Sequence, residues 1–264
     1  MWDLSFISES NFRKHIQETI VKYDEKLESF NIKKFNKNLV DPIKLLFDKT
    51  IYDLTWEEII SNEIFRQRDK SNNNDIGYFH QKIFEYIDNC EVPHKGWDVI
   101  YKNPNGIELP DGSIVHTVYA ELKNKHNTMN SSSAGKTFIK MQNQILEDDD
   151  CACFLVEAIA KKSQNIKWET TVDGSKVGHR LIRRVSIDHF YWTVTGIEDA
   201  FYKMCMMLPK TIKDAVDSFQ SSIVPNDTVL KELKIKAKPF NINSEEDAIT
   251  MALYILGFDG YKGF

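Results

Sequence analysis

Two side chains at the end of a strand-like run could do chemistry. In VYAELKNKHN, residues 118–127, Val118, Ala120 and Leu122 alternate with other residues, and Glu121 and Lys123 stand between and after them. A strand has period two, so Glu121 and Lys123 share the opposite face. About 20 residues upstream, GWD places Asp98 at the start of another strand. The turn signals Asn105-Gly106 and Asp111-Gly112 fold the chain back between them. The two strands then run antiparallel, and two carboxylates and an ammonium converge. Carboxylates held this close repel unless a cation lies between them, and hard oxygen ligands suit Mg²⁺. Such a metal acidifies a water and stabilises a phosphate during in-line displacement. The lysine positions the water and offsets developing negative charge. Asp98, Glu121 and Lys123 thus point to phosphodiester hydrolysis. The alternative is an ordinary surface ion pair between Glu121 and Lys123 on an edge strand.

The loop that follows favours the chemical reading. NKHNTMNSSSAGK, residues 124–136, is rich in hydrogen-bonding and basic side chains and has no acid. That is the composition expected of a segment tracking phosphates, with Asn124, Lys125 and Asn127 at its start. Guanine calls for Arg or Lys and adenine for Asn or Gln. Lys136, Lys140 and Gln142 on the next helix, and Arg180, Arg183 and Arg184 on a later hairpin, are placed to reach a groove of DNA. Which of them touch bases and which touch phosphates is left open by the sequence.

Several elements must position these residues. Apolar spacing predicts a helix over 10–29, and Thr55 with Glu58 forms a capping box that opens a second. SNNND, 71–75, reads as a polar loop, and IGYFHQKIFEYI, 76–87, as a third helix. The middle changes character. WDVIYK (97–102) and VHTVYAELK (115–123) read as strands, residues 132–146 as a helix and CACFLVEAIA (151–160) as an apolar strand. A hairpin is expected about Asp173-Gly174. The last third returns to helices over 186–194 and 197–219, the latter bent or divided by Pro209, and a final helix opened by Ser244 ends near Gly257. The expectation is one α/β domain over 1–264: a mixed β-sheet core, 91–185, flanked by helices, between a helical N-terminal portion, 1–90, and a helical C-terminal portion, 186–264.

Bulk properties narrow the setting. The chain has 264 residues, 42% hydrophobic and 28% charged, enough for a sizeable core. No run approaches the roughly 18 apolar residues of a membrane span, and the start lacks an export signal. Four cysteines (Cys90, Cys151, Cys153, Cys205) suggest no disulfide framework, so a reduced, cytoplasmic protein is expected. Cys90, His94, Cys151 and Cys153 match no standard zinc spacing, and Cys-x-Cys in an apolar strand reads as packing. The methionines at 204, 206 and 207 read as core. The net charge of −5 argues mildly against a nucleic-acid partner. Its distribution argues for one: Lys123–Asn143 contains four lysines and no acid, and Lys161–Val185 contains seven basic residues against Glu169 and Asp173.

The stretches IGYFHQKIF (76–84), GWDVI (96–100), YAELKNKHNTMNSSSAGK (119–136), KTFIKMQ (136–142) and VSIDHFYWTVTG (185–196), in this order, resemble the PD-(D/E)XK nucleases. Within them the chain looks like the type II restriction endonucleases that cut GGNCC-type sites. The resemblance covers residues 60–215 or thereabouts, and AELKNKHNT is its most specific part. It implies Asp98 and Glu121 as metal ligands, Lys123 as the catalytic lysine, Mg²⁺, double-stranded DNA as substrate, a homodimer, and a methyltransferase partner that protects host DNA. Trp97 stands where the pattern has proline, which is not a ligand. His80 and Gln81 match a family stretch and could hydrogen-bond the site or DNA. Glu63 or Glu85 could be the auxiliary helix acid, with a solvated helix face as the competing reading. The rivals are a repair or mobile-element nuclease of the same fold and a non-catalytic DNA-binding module. The complete set of Asp98, Glu121 and Lys123 speaks against the last.

Overall fold

Local signals account for the helices that begin the chain. The computed structural model describes residues 2–219, 225–240, 242 and 244–258. In it α1 spans Glu9–Glu25, α2 Ile32–Asn36, α3 Pro42–Ile51 and α4 Trp56–Lys82. Asp41 caps α3 by accepting from the amides of Ile43 and Lys44, with Pro42 in the first turn. The expected capping box opens α4: Glu58 N donates to Thr55 Oγ1 at 3.2 Å, and Thr55 N donates to Glu58 Oε2 at 2.8 Å.

The polar tract 71–75 is helical, which corrects the loop expected there; α4 runs through it, and a short 3-10 helix, Ile83–Tyr86, follows. Polar residues cost a helix only a few tenths of a kcal/mol each. Ile59, Ile60 and Ile64 on one side of the tract and Phe79 on the other are buried. Packing at both ends therefore decides the conformation between them. Asn73 contributes locally, donating to the carbonyl and carboxylate of Asp69, each at 3.0 Å.

The chain gathers into two compact units: residues up to Ile20 with Asp75–Phe219, and Val21–Asn74 with the segment from Gln220 onward. The first unit holds a six-stranded mixed sheet. Its strands are β1 Cys90–Glu91, β2 Val99–Glu108, β3 Ile114–Lys125, β4 Cys151–Ile159, β5 Asn165–Val172 and β6 Ser175–Ser186, in the order β1-β2-β3-β4-β6-β5. β3 pairs β2 antiparallel and β4 parallel; β6 pairs β4 parallel and β5 antiparallel. The parallel β3–β4 step needs a crossover, supplied by α5, Ser131–Glu147.

Of the two turn signals near β2, only Asp111-Gly112 makes the β2–β3 connection, with Gly112 N donating to the Leu109 carbonyl. Asn105-Gly106 lies within β2 at a register shift between Lys102 and Ile107. Gly106 has φ +88°, and a Cβ there would lie 2.7 Å from Ile114 Cγ2, so this is a bulge that requires glycine. Asp173-Gly174 closes the expected β5–β6 hairpin.

Alternation sorts the sheet's two faces. Val118, Ala120, Phe154, Val156 and Val185 enter a core with Phe12, Phe84, Phe190 and Tyr191. Cys153, Leu155, Ile182 and Trp168 pack on Phe138 and Met141 of α5. β4 is covered on both faces, which explains its unbroken apolar run. α6, Ile187–Thr195, and α7, Ala200–Ser218, complete this unit. α7 continues through Pro209 and is not divided by it. Among the described residues the second unit is helical: α8, Val229–Ala237, and α9, Glu245–Gly257 opened by Ser244, share a core with Phe30, Phe35, Leu45, Trp56 and Ile60. Among the described residues no helix is long and apolar enough to cross a membrane.

Candidate active site

Asp98 stands one residue before β2. Its backbone N donates to the Ala120 carbonyl at 3.1 Å, extending the β2–β3 ladder. Its carboxylate Oδ2 accepts from Leu122 N at 2.7 Å, so β3 itself fixes the acid. Gln81, near the end of α4, donates to the Asp98 carbonyl at 3.2 Å. Glu121 and Lys123 project from β3 on the face that carries α5. Lys123 Nζ donates to Glu121 Oε1 at 2.8 Å.

A second ammonium completes the cluster. Lys140 of α5 donates to Glu121 Oε2 at 2.7 Å and to the Gly96 carbonyl, and its Nζ sits 4.0 Å from the centroid of the Trp97 ring. Trp97 is held in turn by Nε1 donating to Gln144 Oε1 at 2.9 Å. The Lys140 head group is thereby fixed by a carboxylate, a carbonyl and a π face. Sequence reading places this lysine on DNA; the geometry places it on Glu121. The signal that could have found it is one helical turn: Lys136 and Lys140 are four residues apart on α5.

The electrostatics follow from burial. Burial first, and the Glu121 carboxylate second, push the Asp98 carboxyl above its usual range; Leu122 N and the two lysines pull against them. Burial also works against the Glu121 carboxylate, but the hydrogen bonds from Lys123 and Lys140 outweigh it and hold that group below the usual range. Two carboxylates and two ammoniums cancel formally. A divalent cation entering such a cluster is therefore best balanced by an anionic ligand such as a phosphodiester.

The donor set fits Mg²⁺. That ion is held by one or two carboxylates, with waters and substrate oxygens completing its shell. Asp98 keeps Oδ1 clear of the Leu122 bond, and Glu121 offers two oxygens, one bonded to Lys123 and one to Lys140. Among the described residues no group of three or more acids, histidines or cysteines is disposed to hold a metal. Cys151 and Cys153 are buried in β4, their thiols directed at the Gln144 and Met141 carbonyls.

Glu157 escaped sequence reading. It is 1% exposed and stands opposite Lys123 in the β3–β4 register. Arg184 Nε donates to its Oε1 at 2.8 Å, and Arg184 Nη2 donates to the His126 carbonyl at 2.8 Å. The pair ties the loop after Lys123 to the sheet. The signal was present: Glu157 is the one charge in the apolar run 151–160.

The remaining candidates are distributed as follows. Lys125, Asn127, Lys136, Gln142 and Arg180 are exposed, and Arg180 also donates to Ser113 Oγ at 2.6 Å. Asn124 is half-buried and lies against Gly77 of α4, where an added Cβ would meet its Oδ1 at 3.1 Å. Arg183 is 5% exposed and is engaged by the side chain and carbonyl of Asn165; with Arg184 bound to Glu157, two of the three hairpin arginines are occupied inside the protein. His80 is half-buried, and its Nδ1 has no partner. Glu85 forms an exposed pair with Lys82 at 3.7 Å. Glu63 lies in the second unit, its carboxylate accepting from Arg66 and Gln67.

Comparison with known proteins places this geometry. The family model described as Eco47II restriction endonuclease matches residues 4–217. The type II restriction enzyme Sau96I of Staphylococcus aureus is 29% identical over 257 residues, covering 94% of each chain. The type II restriction enzyme Eco47II of Escherichia coli is 25% identical over 226 residues, covering 80% of this chain and 87% of that one.

Proposed function

The chain belongs to the Eco47II restriction endonuclease family and is a type II, site-specific DNA endonuclease; on that premise we propose that it hydrolyses phosphodiester bonds at the Asp98, Glu121, Lys123 cluster with Mg²⁺ as cofactor. One observation carries the reading. The two carboxylates meet at the end of the β2–β3 pair, one fixed by Leu122 N and the other by Lys123 and Lys140.

Each residue has a defined task in this reading. Asp98 and Glu121 hold Mg²⁺, and the ladder bond from Asp98 N keeps the first of them in register. When bound, Mg²⁺ neutralises phosphate charge and acidifies a neighbouring water. Lys123, kept close by Glu121, orients that water with its N–H donors and offsets negative charge on the phosphoryl oxygens. Lys140, bonded to Glu121 Oε2, would share that oxygen with a bound cation, and the Trp97 ring keeps its head group beside the cluster. Lys125, Asn127, Lys136, Gln142 and Arg180 supply exposed donors to DNA, with Asn124 at the base of the loop. Arg183 and Arg184 shape the hairpin and the loop rather than contact DNA.

The recognition site is read as a short GGNCC-like palindrome, on the strength of the sequence resemblance. One chain carries one such cluster, whereas a palindromic duplex presents two scissile phosphates related by a dyad. A homodimer matches that symmetry with the same residues used twice. The setting is the cytoplasm, where a cognate methyltransferase protects host DNA without forming a stable complex with this chain.

Digestion of a fully sequenced plasmid in Mg²⁺ tests the reading. Discrete fragments whose ends map to one short palindrome are expected, with two chains per cognate duplex in sedimentation. A smear would replace it with a nonspecific nuclease, and intact plasmid with a gel shift would replace it with a binding module.

A further inference from the structure

The second unit carries a concave surface that the cleavage chemistry leaves unused. Its groove, about 1220 Å³ in volume, is bordered by α2, the segment before it, the middle of α4 and one lysine of α8. Seven Lys and Arg side chains line it against two glutamates, in a chain whose net charge is −5. Positive charge is therefore concentrated here against the trend of the whole protein.

The basic residues divide into two kinds. Lys33, Lys37, Lys70 and Lys236 are exposed and form no ion pair among the described residues. They are point charges on flexible stems. Lys26, Lys34 and Arg68 are fixed. Lys26 Nζ donates to the Ser71 carbonyl at 3.3 Å. Lys34 Nζ lies 4.6 Å from the Phe30 ring centroid and 3.0 Å from Glu28. The Arg68 guanidinium lies 5.1 Å from the same ring, pairs with Asp227 at 2.9 Å and donates to the Glu28 carbonyl at 3.1 Å. These contacts leave Arg68 Nε buried with no partner, an unfilled donor in a basic wall. A buried unfilled donor is costly unless something accepts from it.

We infer that this groove binds the phosphodiester backbone of double-stranded DNA in a sequence-independent manner, as a hold separate from the Asp98, Glu121, Lys123 cluster. The inference rests on the proposed action on DNA and extends it to a second surface. Mobile lysines suit a polyanion whose phosphates vary in position, because each needs only proximity, not a fixed geometry. Arg68, held by Asp227 and the Glu28 carbonyl, adds a fixed positive charge to the wall of the groove. Nothing in such a set of donors reads base edges, so the contact adds affinity without adding specificity.

The test is equilibrium binding of a labelled non-cognate duplex, in EDTA, over a series of salt concentrations. Wild type is compared with Lys33→Gln/Lys37→Gln and with Lys33→Gln/Lys37→Gln/Lys70→Gln/Lys236→Gln. Each lost phosphate contact lowers the slope of log K against log salt by about 0.9. The double variant is expected to lose roughly 2 and the fourfold variant roughly 3–4, with affinity at low salt falling tenfold or more. Cleavage of saturated cognate DNA should be unchanged, since none of the four residues belongs to the catalytic cluster. Slopes equal to wild type in both variants, with wild-type DNA binding intact, would overturn the groove assignment alone. A wild-type chain that binds no duplex would overturn the action on DNA as well. Tighter binding of polyglutamate than of duplex, lost in the same variants, would reassign the groove to an acidic protein.

Discussion

Glu121→Ala and Asp98→Ala are each expected to abolish cleavage and leave DNA binding largely intact. Both side chains are read as metal ligands, not phosphate contacts, so the loss falls on the chemical step. Either substitution breaks the charge balance of the cluster. Without Glu121, Lys123 and Lys140 lose their shared carboxylate and face each other as uncompensated cations. Without Asp98, Leu122 N loses its acceptor and the remaining acid meets the cation alone. The expected reduction exceeds the roughly 10²–10³-fold that loss of a single stabilising donor costs. Binding holds or tightens, because less negative charge faces the phosphates. Single-turnover cleavage beside a gel shift on one duplex separates the two effects. Full activity of either variant in Mg²⁺ would remove that residue from the site.

The second large effect belongs to Lys123. Lys123→Ala is expected to lose about 10²–10³-fold in cleavage, equivalent to roughly 2.7–4 kcal/mol of transition-state stabilisation, while metal binding persists. An ammonium cannot be a metal ligand, and its contact in the structure is the 2.8 Å bond to Glu121 Oε1. Removing it frees that oxygen rather than removing a ligand. Lys140 still holds Oε2, so Glu121 stays oriented. Calorimetric titration of metal into the variant bound to DNA distinguishes the roles. Metal binding that disappears together with Lys123 would show that the lysine organises the ligands instead of the water.

Much of this site was legible because strand alternation is a short-range rule. Glu121 and Lys123 had to share a face, and the turn at Asp111-Gly112 had to bring Asp98 back beside them. The same rule holds in the hairpin. Arg183 and Arg184 are adjacent in a strand, so they point to opposite faces and cannot both enter one groove; one meets Asn165 and the other Glu157. The contact between Lys140 and Glu121 is not legible, because the sequence does not show how closely α5 lies over Glu121. The tract at 71–75 misled because composition favours a loop, while the buried isoleucines before it and Phe79 after it enforce the helix. Least visible was the helical unit. It joins residues 21–74 to the C-terminal segment across the whole nuclease sheet in sequence, and no linker marks the joins. Helices α2, α3 and α8 went unread for a related reason: α2 and α8 are short, and their burial depends on partners roughly 200 residues away, such as the Phe30–Asp227 contact.

The central claim is that Asp98 and Glu121 hold the catalytic cation while Lys123 faces the bond to be cut. Its most direct test is a crystal of the chain with cognate duplex and Mn²⁺, read by anomalous scattering. The expected result is a peak between the Asp98 and Glu121 carboxylates, with Lys123 Nζ on the side of the scissile phosphate and Lys140 beside Glu121 Oε2. A peak away from both carboxylates, in crystals whose duplex is cut, would contradict it.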